Sequence, residues 1–411
     1  SGGELSLDNN LYLVDVGTKK ETLLTPHEGS AEFGNAYFTA DGIVYTNNDK
    51  REFISLAYLR QKNAAGNDWS LANLEPSIVD NTNWDVSDVE MDQNGGHIAY
   101  TINREGFSEL FIRKMETDGK PLITVIDKKA EQVKLPAQGI VGGLNMDKGE
   151  TKLAFSFTSA TNNGDIWLYD LAKKALTQVT HSDRAGIPQT SFVAPELIRF
   201  KSFDGREIPA WYYPPQGVEY LKLKNQPYRV FAFSKVIGQP GSQRLSSIKV
   251  PVIVSVHGGP EGQERPGFNA LYQYYLSRGY AILATNVRGS TGYGKTYTHL
   301  DDVKNREDSV KDLAASVDWL KTKGGADPKK IAVMGGSYGG YMTLAAITLY
   351  PDLWAAAVDT VGISNWESFL KNTSGYRRRQ REVEYGRLDR DLDFLRSISP
   401  ITKIDRIKCP L

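Results

Sequence analysis

The chain has 411 residues, of which 40% are aliphatic or aromatic and 24% charged, a composition that supports a sizeable buried core and excludes an intrinsically disordered chain. Lys plus Arg equals Asp plus Glu at 49 each, so no global field selects nucleic acid or an anionic membrane surface. The single cysteine, Cys409, excludes an intrachain disulfide and leaves the compartment open, and no apolar run reaches the roughly 18 residues that a spanning helix needs.

At roughly 150 residues per domain the length points to two domains. Ser1-Gly2-Gly3-Glu4 is neither a basic leader nor an initiator Met, and the native N-terminus is expected upstream. From Leu11 to about Ser182 short runs alternate with period two: Leu11-Tyr12-Leu13-Val14, Ile98-Ala99-Tyr100-Thr101, Leu153-Ala154-Phe155-Ser156 and Asp165-Ile166-Trp167-Leu168-Tyr169. They read as strands. A turn signal recurs about every 50 residues, at Asp41-Gly42, Asp92-Gln93-Asn94-Gly95 and Asp147-Lys148-Gly149, a period that suits propeller blades. The predicted blade runs from the turn through a strand such as Ile43-Val44-Tyr45-Thr46 to an outer strand such as Leu110-Phe111-Ile112-Arg113 or Ile166-Trp167-Leu168-Tyr169. Roughly three and a half blades fit before Ser191, with an unrelated β-sandwich as the alternative. The rest of a closed ring is expected upstream.

Near Ile198 the pattern changes. Phe203-Asp204-Gly205-Arg206 reads as a hairpin turn, and Pro214-Pro215 ends the strand that follows. The boundary falls between Ala185 and Glu196, dividing the chain into residues 1–190, a partial propeller of three to four blades, and 191–411. Beyond it strands and helices alternate: a strand Val250–Val256, a helix near Asn269–Arg278 closed by Gly279, a strand Ala281–Asn286, a helix from about Ser309 to Lys323, and a strand Ile331–Met334. That alternation means a doubly wound, mostly parallel sheet of the α/β-hydrolase type. Gln216–Lys249 fits no element well and reads as an insertion or an extended strand pair.

Gly335-Gly336-Ser337-Tyr338-Gly339-Gly340 directly follows the strand ending at Met334 and precedes a helix-like run, Tyr341–Tyr350. This is the strand–elbow–helix context of a nucleophilic serine. The turn is so sharp that side chains two before and two after the serine would collide, hence Gly335 and Gly339. An acyl-transfer intermediate also needs donors aimed at its oxyanion. The backbone N–H of Tyr338 is one candidate, and the turn His257-Gly258-Gly259, at the end of an apolar strand, offers another from Gly258 or Gly259. His257 is not read as the catalytic base, because in this fold the order is Ser, then acid, then His.

The five histidines are His27, His97, His181, His257 and His299, none after Ser337. The base and its orienting Asp are therefore expected beyond Leu411, where Ile407-Lys408-Cys409-Pro410-Leu411 reads as the opening of a further strand. Asp352, Asp359, Asp389, Asp391, Asp393 and Asp405 follow the serine and are read as caps, loops or surface. Gly289-Ser290-Thr291-Gly292-Tyr293-Gly294-Lys295-Thr296 has phosphate-loop spacing. Tyr297–Asn305 lacks the apolar face of the helix that such a loop must open, so the segment is read as a glycine-rich loop bordering the site. Arg377-Arg378-Arg379 with Arg381, flanked by Glu382 and Glu384, reads as a solvated, salt-bridged face, with a grip on a substrate carboxylate as the alternative.

Taken jointly, four segments resemble the prolyl oligopeptidase family, in its acylaminoacyl-peptidase-like branch. They are His257-Gly258-Gly259-Pro260-Glu261-Gly262, Asn286-Val287-Arg288-Gly289-Ser290-Thr291-Gly292-Tyr293-Gly294, Gly335–Gly340 with Tyr341, and Val361-Gly362-Ile363-Ser364-Asn365-Trp366. The resemblance covers roughly Phe203 to Leu411. It implies a propeller upstream of the hydrolase domain, Ser337 as nucleophile, and Tyr338 with His257–Gly259 around the oxyanion. It also implies Ile363, Trp366 and Phe369 as walls of the pocket for the residue before the scissile bond, short peptides as substrates, and no cofactor or metal. Where the family has its Asp and His, this sequence has none. An esterase on the same fold, and a non-catalytic propeller-bearing interaction module, stand as the other two readings. Self-association, peptide preference and compartment are not legible.

Overall fold

The computed structural model describes residues 7–63, 68–93, 95–117, 124–126, 129–221, 230–233 and 249–411. Ser1–Glu4, Asn94 of the second turn signal and most of Gln216–Lys249 lie outside the described residues. The chain divides into two compact units, Ser1–Asp183 with Gly292–Thr296, and Arg184–Thr291 with Tyr297–Leu411.

The first unit opens with a two-stranded ribbon, β1 (Tyr12–Val14) against β2 (Glu21–Leu23). Three antiparallel meanders follow. They are β3 (Phe33–Phe38), β4 (Gly42–Asn47), β5 (Ser55–Gln61) and β6 (Leu74–Asp80), then β7 (Asp85–Met91), β8 (His97–Arg104), β9 (Phe107–Thr117) and β10 (Thr124–Ile126). After β11 (Glu131–Val133), which also pairs with β9, come β12 (Ile140–Met146), β13 (Lys152–Ser159), β14 (Asn162–Asp170) and β15 (Ala175–Gln178). Each recurring turn signal joins the first and second strands of a meander. Asp147 shows why an acid stands there: its carboxylate accepts the N–H groups of Thr151 at 2.7 Å and Lys152 at 2.8 Å.

Strand periodicity builds a separate core on each face of a sheet. Ile43 and Tyr45 of β4 join a cluster with Leu24, Ala31 and Phe33, whereas Val44 between them joins Val86, Ile98, Tyr100 and Ile102 of the next sheet. In β8, likewise, Ala99 faces the third sheet. Sheets buried on both faces by their neighbours, repeated in sequence, are stacked propeller blades. One expectation is corrected: β9 and β14 are third strands, with β10 and β15 outside them. Apolar runs marked β9 and β14, but β10 and β15 are too short to carry such a signal.

The second unit holds a six-stranded sheet in the order β16 (Glu196–Lys201), β17 (Glu207–Tyr213), β21 (Ala281–Thr285), β20 (Val250–Val256), β22 (Ala326–Gly336) and β23 (Ala356–Thr360). β16 and β17 form the predicted hairpin and join β21 antiparallel, while β21, β20, β22 and β23 run parallel. Between β17 and β20, β18 (Val218–Leu221) pairs antiparallel with β19 (Val230–Phe233).

Helices α1 (Ala270–Ser277), α2 (Lys295–Thr298), whose first two residues belong to the first unit, α3 (Arg306–Thr322), α4 (Tyr338–Leu349), α5 (Trp366–Lys371), α6 (Gly375–Tyr385) and α7 (Leu392–Ser397) complete the unit. The chain leaves β20 through α1 to β21 on one side, then returns through α3 to β22 on the other. Right-handed crossovers put α1 on the opposite face from α3 and α4, which pack against each other. Val252, Val254, Ile282, Leu283, Ile331 and Val333 are fully buried between the layers. The N–H of Ala357 in β23 also donates to the carbonyl of Pro410 at 2.9 Å.

Candidate active site

Because the strand order reverses at β20, the loops beyond the carboxyl ends of its neighbours open a crevice there. Parallel register fixes what meets in it. Val256 stands opposite Gly335, while Gly335 and Gly336 stand opposite Asp359 and Thr360. Three loops therefore emerge side by side: His257–Gly262, the turn at Ser337, and Val361–Asn365.

Ser337 is exposed, whereas Tyr338 to Tyr341 behind it are buried. Its backbone has φ 56 and ψ −119, a conformation that non-glycine residues adopt only where surrounding structure imposes it. The imposing contacts are visible. Ser337 N–H donates to Thr360 O at 3.0 Å, and Tyr341 N–H donates to Ser337 O at 3.1 Å. A Cβ at Gly335 would stand 2.2 Å from the Gly339 carbonyl oxygen, as expected from the sharpness of the turn. For Gly339 the reason differs from the expectation: a Cβ there would stand 2.2 Å from Val256 O, so it is the neighbouring strand that excludes a side chain. The helix α4 starts at Tyr338, three residues earlier than expected, and points its unsatisfied N–H groups toward the serine.

Gly258 lies against this turn. A Cβ on it would be 3.4 Å from Gly336 O and 3.6 Å from Ser337 Cβ. Gly259 has φ 131 in the tight turn to Glu261, and its carbonyl accepts the Tyr385 hydroxyl at 2.9 Å. Of the two glycines, Gly258 is therefore the one beside the serine. His257 donates Nδ1–H to Gly258 O at 2.7 Å, and its Nε2 lies 2.9 Å from the Ser290 hydroxyl. Burial pushes this imidazole below its ordinary pKa, so it is neutral, and both ring nitrogens are engaged in holding the loop. His27, His97 and His299 are similarly occupied, by Asp8, Asp92 and Asp302.

A cavity of about 510 Å³ opens at Ser337 and is lined by Val361–Asn365, Ser368, Phe369, Asn372–Ser374, Arg377 and Arg381. Ile363 and Phe369 are among the residues that line it. Trp366 is not. It is fully buried below, with its ring centroid 4.5 Å from that of Tyr385 and 4.7 Å from that of Tyr341, and it supports Phe369 from behind at 5.7 Å. The arginine cluster is also corrected. Glu384 is buried and pairs with Arg306, and the Glu382 carboxylate accepts Leu388 N–H at 3.4 Å, so neither neutralises the cluster. Arg377 and Arg381, one turn apart on α6, face the cavity instead.

Two buried networks escaped the sequence reading. Arg288 grips Asp312 of α3 with Nη2 at 2.8 Å and Nε at 3.0 Å, fixing the loop after β21 that carries Ser290. Behind the elbow, Arg306 Nη1 donates to Asp301 at 2.5 Å and to the Tyr338 hydroxyl at 2.9 Å, while Nη2 donates to Glu384. Burial pushes the Asp301 carboxyl up to about 7, against the pull of Arg306. A charged residue on an otherwise apolar helix face, as Asp312 is on α3, is the one local signal for such networks.

The phosphate-loop decoy has a structural answer within the first unit. A single helical turn, α2, does begin at Lys295, contrary to the expectation. However, its N-terminus is taken by the Glu52 carboxylate, which accepts Thr296 N–H at 2.7 Å and Oγ1–H at 2.9 Å, and Lys295 Nζ donates to Ser30 O at 2.8 Å. A carboxylate stands where a phosphate would have to bind.

A strained serine between a parallel strand and a helix, at the carboxyl edge of a mixed sheet, defines the α/β-hydrolase class. Residues 266–411 match the model of the prolyl oligopeptidase family. Dipeptidyl aminopeptidase BIII of Pseudoxanthomonas mexicana is 37% identical over 263 residues, covering 62% of this chain and 37% of that protein. The acylamino-acid-releasing enzyme of Arabidopsis thaliana is 33% identical over 168 residues, 39% of this chain and 22% of its own. Among solved structures, a Mycobacterium tuberculosis puromycin-hydrolyzing peptidase superposes with TM-score 0.75 at 20% identity, over 97% of this chain and 55% of that one. Acylaminoacyl peptidase of Pyrococcus horikoshii does so at TM-score 0.67 and 22% identity, over 98% and 55%. The similarity to the prolyl oligopeptidase family is thus carried by residues 266–411 and by the aligned segments of these relatives. The chain spans well under two thirds of the length of these relatives.

Proposed function

We propose that this chain carries the nucleophile-bearing part of a serine peptidase acting on short peptides. The observation that carries the reading is Ser337 itself, exposed at a strained elbow and opening on a cavity, with Gly258 against it. Ser337 Oγ attacks the peptide carbonyl, and its proton passes to a histidine held by an aspartate. The oxyanion of the tetrahedral intermediate accepts the N–H groups of Tyr338 and Gly258, close to the positive end of α4. Collapse expels the amine, which takes the proton, and leaves an acyl-enzyme that water hydrolyses. The histidine is assigned to the complete protein after Leu411, because His257, the histidine beside the site, has both ring nitrogens committed. Ile363 and Phe369 supply the apolar part of the wall around the residue before the scissile bond.

The test is active-site labelling of the complete protein with a fluorophosphonate, together with turnover of peptide and ester substrates. Ser337 is expected to be the labelled residue, and Ser337→Ala to lower kcat by on the order of 10⁴ to 10⁶. Ester turnover without peptide turnover would select the esterase reading. A folded complete protein that leaves Ser337 unlabelled would overturn both in favour of an interaction module.

A further inference from the structure

The lining of the Ser337 cavity is unbalanced in charge. It contains two guanidinium groups, Arg377 and Arg381, and no carboxylate. Among the described residues neither arginine has an ion-pair partner, and the acids nearest in sequence are engaged elsewhere. Arg381 is preorganised: its guanidinium carbon lies 4.3 Å from the centroid of the Phe369 ring, and Nη1 donates to Thr373 Oγ1 at 2.6 Å. That leaves its remaining N–H groups for a ligand. The lining also carries hydroxyls and amides, from Ser364, Asn365, Ser368, Asn372, Thr373 and Ser374. Its apolar lining is Val361, Ile363 and Phe369.

A half-buried guanidinium without an anion is a recognition element for a carboxylate, which it binds through paired, charge-assisted hydrogen bonds. We infer that this cavity takes an acidic side chain, Glu or Asp, on the residue whose carbonyl Ser337 attacks, with Arg381 as the principal contact and Arg377 as the second. The inference rests on the peptidase reading for its position in a reaction, but not for its chemistry. The methylenes of the side chain lie along Phe369 and Ile363, and the carboxylate reaches the arginines beyond them. The exposed flank of the cavity, where Arg377 sits, makes the attraction sensitive to salt.

Binding separates this inference from the peptidase reading. In the complete protein carrying Ser337→Ala, affinities for N-acetyl-Ala-Glu-amide and N-acetyl-Ala-Gln-amide are measured by titration calorimetry. These probes differ only in charge. The Glu probe is expected to bind about tenfold more tightly, and the ratio to shrink at high salt. Arg381→Gln should bring the ratio to about one, with Arg381→Lys retaining part of it. Since Arg381 also packs on Phe369, Arg377→Gln is the second variant, and it should lower the ratio of Glu to Gln affinity as well, with Arg377→Lys retaining part of it. Equal affinities in the parent protein, failure of both probes to bind, or a ratio untouched by either arginine variant would overturn the inference. With Ser337 restored, a Glu preference in binding but no turnover would sink the peptidase reading alone. Turnover restricted to neutral residues at that position would sink the acidic pocket alone.

Discussion

The two units bury sheets in different ways. In the first, successive sheets share cores between their facing sides, and the same hairpin recurs with an acid at its turn. In the second, helices cover the faces and the chemistry collects at one edge, where three strand ends are held in register. Repetition spreads tolerance, because the core between two sheets depends on no single loop. Convergence removes it, because a Cβ at Gly335 or Gly339 would stand 2.2 Å from a backbone oxygen. Damage in the first unit should therefore register as stability, and damage in the second as reactivity of Ser337.

The largest expected test of that contrast is Arg288→Met. It strands the buried Asp312 carboxylate and should cost about 4 kcal/mol, with a fall in fluorophosphonate labelling because the Ser290 loop behind His257 loses its anchor. Chemical denaturation and labelling rate measure the two effects. Next comes Glu264, which burial pushes up to about 7 and which accepts the Tyr272 hydroxyl at 3.2 Å. The folded state holds this proton to higher pH than the unfolded chain does. Its stabilising contribution is therefore present below about pH 4.5 and is lost as pH rises through about 7, a change of about 3 kcal/mol. Glu264→Gln should flatten the dependence of unfolding free energy on pH across that window, and an unchanged slope would contradict the assignment.

A smaller effect separates paired glycines. A Cβ at Gly42 would stand 2.3 Å from Leu59 O, nearly the same clash as at Gly335. Both Gly42→Ala and Gly335→Ala should cost about 2 kcal/mol, but only Gly335→Ala should abolish labelling of Ser337. Equal loss of labelling would break the comparison. Smallest is Asp147→Ala, whose exposed turn gives up two backbone hydrogen bonds. A fall in melting temperature on the order of one degree is expected by scanning calorimetry, with labelling intact.

Much of this was legible because it is written in local pattern. Period-two runs and the Asp-Gly turns marked the meanders, and the glycines around Ser337 marked the elbow. The outer strands β10 and β15 were not, because three or four residues are too few to show a period. The cavity was half legible. Ile363 and Phe369 line it, but Trp366, three residues from each, is turned under by the helix α5 into an aromatic stack, a matter of rotation about an axis that spacing alone leaves undetermined. The arginines were misread for a related reason. Their neighbours Glu382 and Glu384 look like partners in sequence, yet Glu384 is claimed by Arg306 from 78 residues away. Partnership of charges is decided by tertiary distance, which adjacency in sequence does not report.

The register between β20 and β22 also sets a rule for how this architecture can diversify. Loops that leave the strand ends can lengthen, shorten or exchange residues without disturbing the meeting of Gly258 and Ser337, since Val256 and Gly335 are matched upstream of all of them. A slip of two residues along that ladder would instead carry the glycine turn about 6.6 Å from the serine. New specificities are thus reachable by editing what lies past the ladder, while the ladder behaves as a fixed gauge that sequence drift must leave alone.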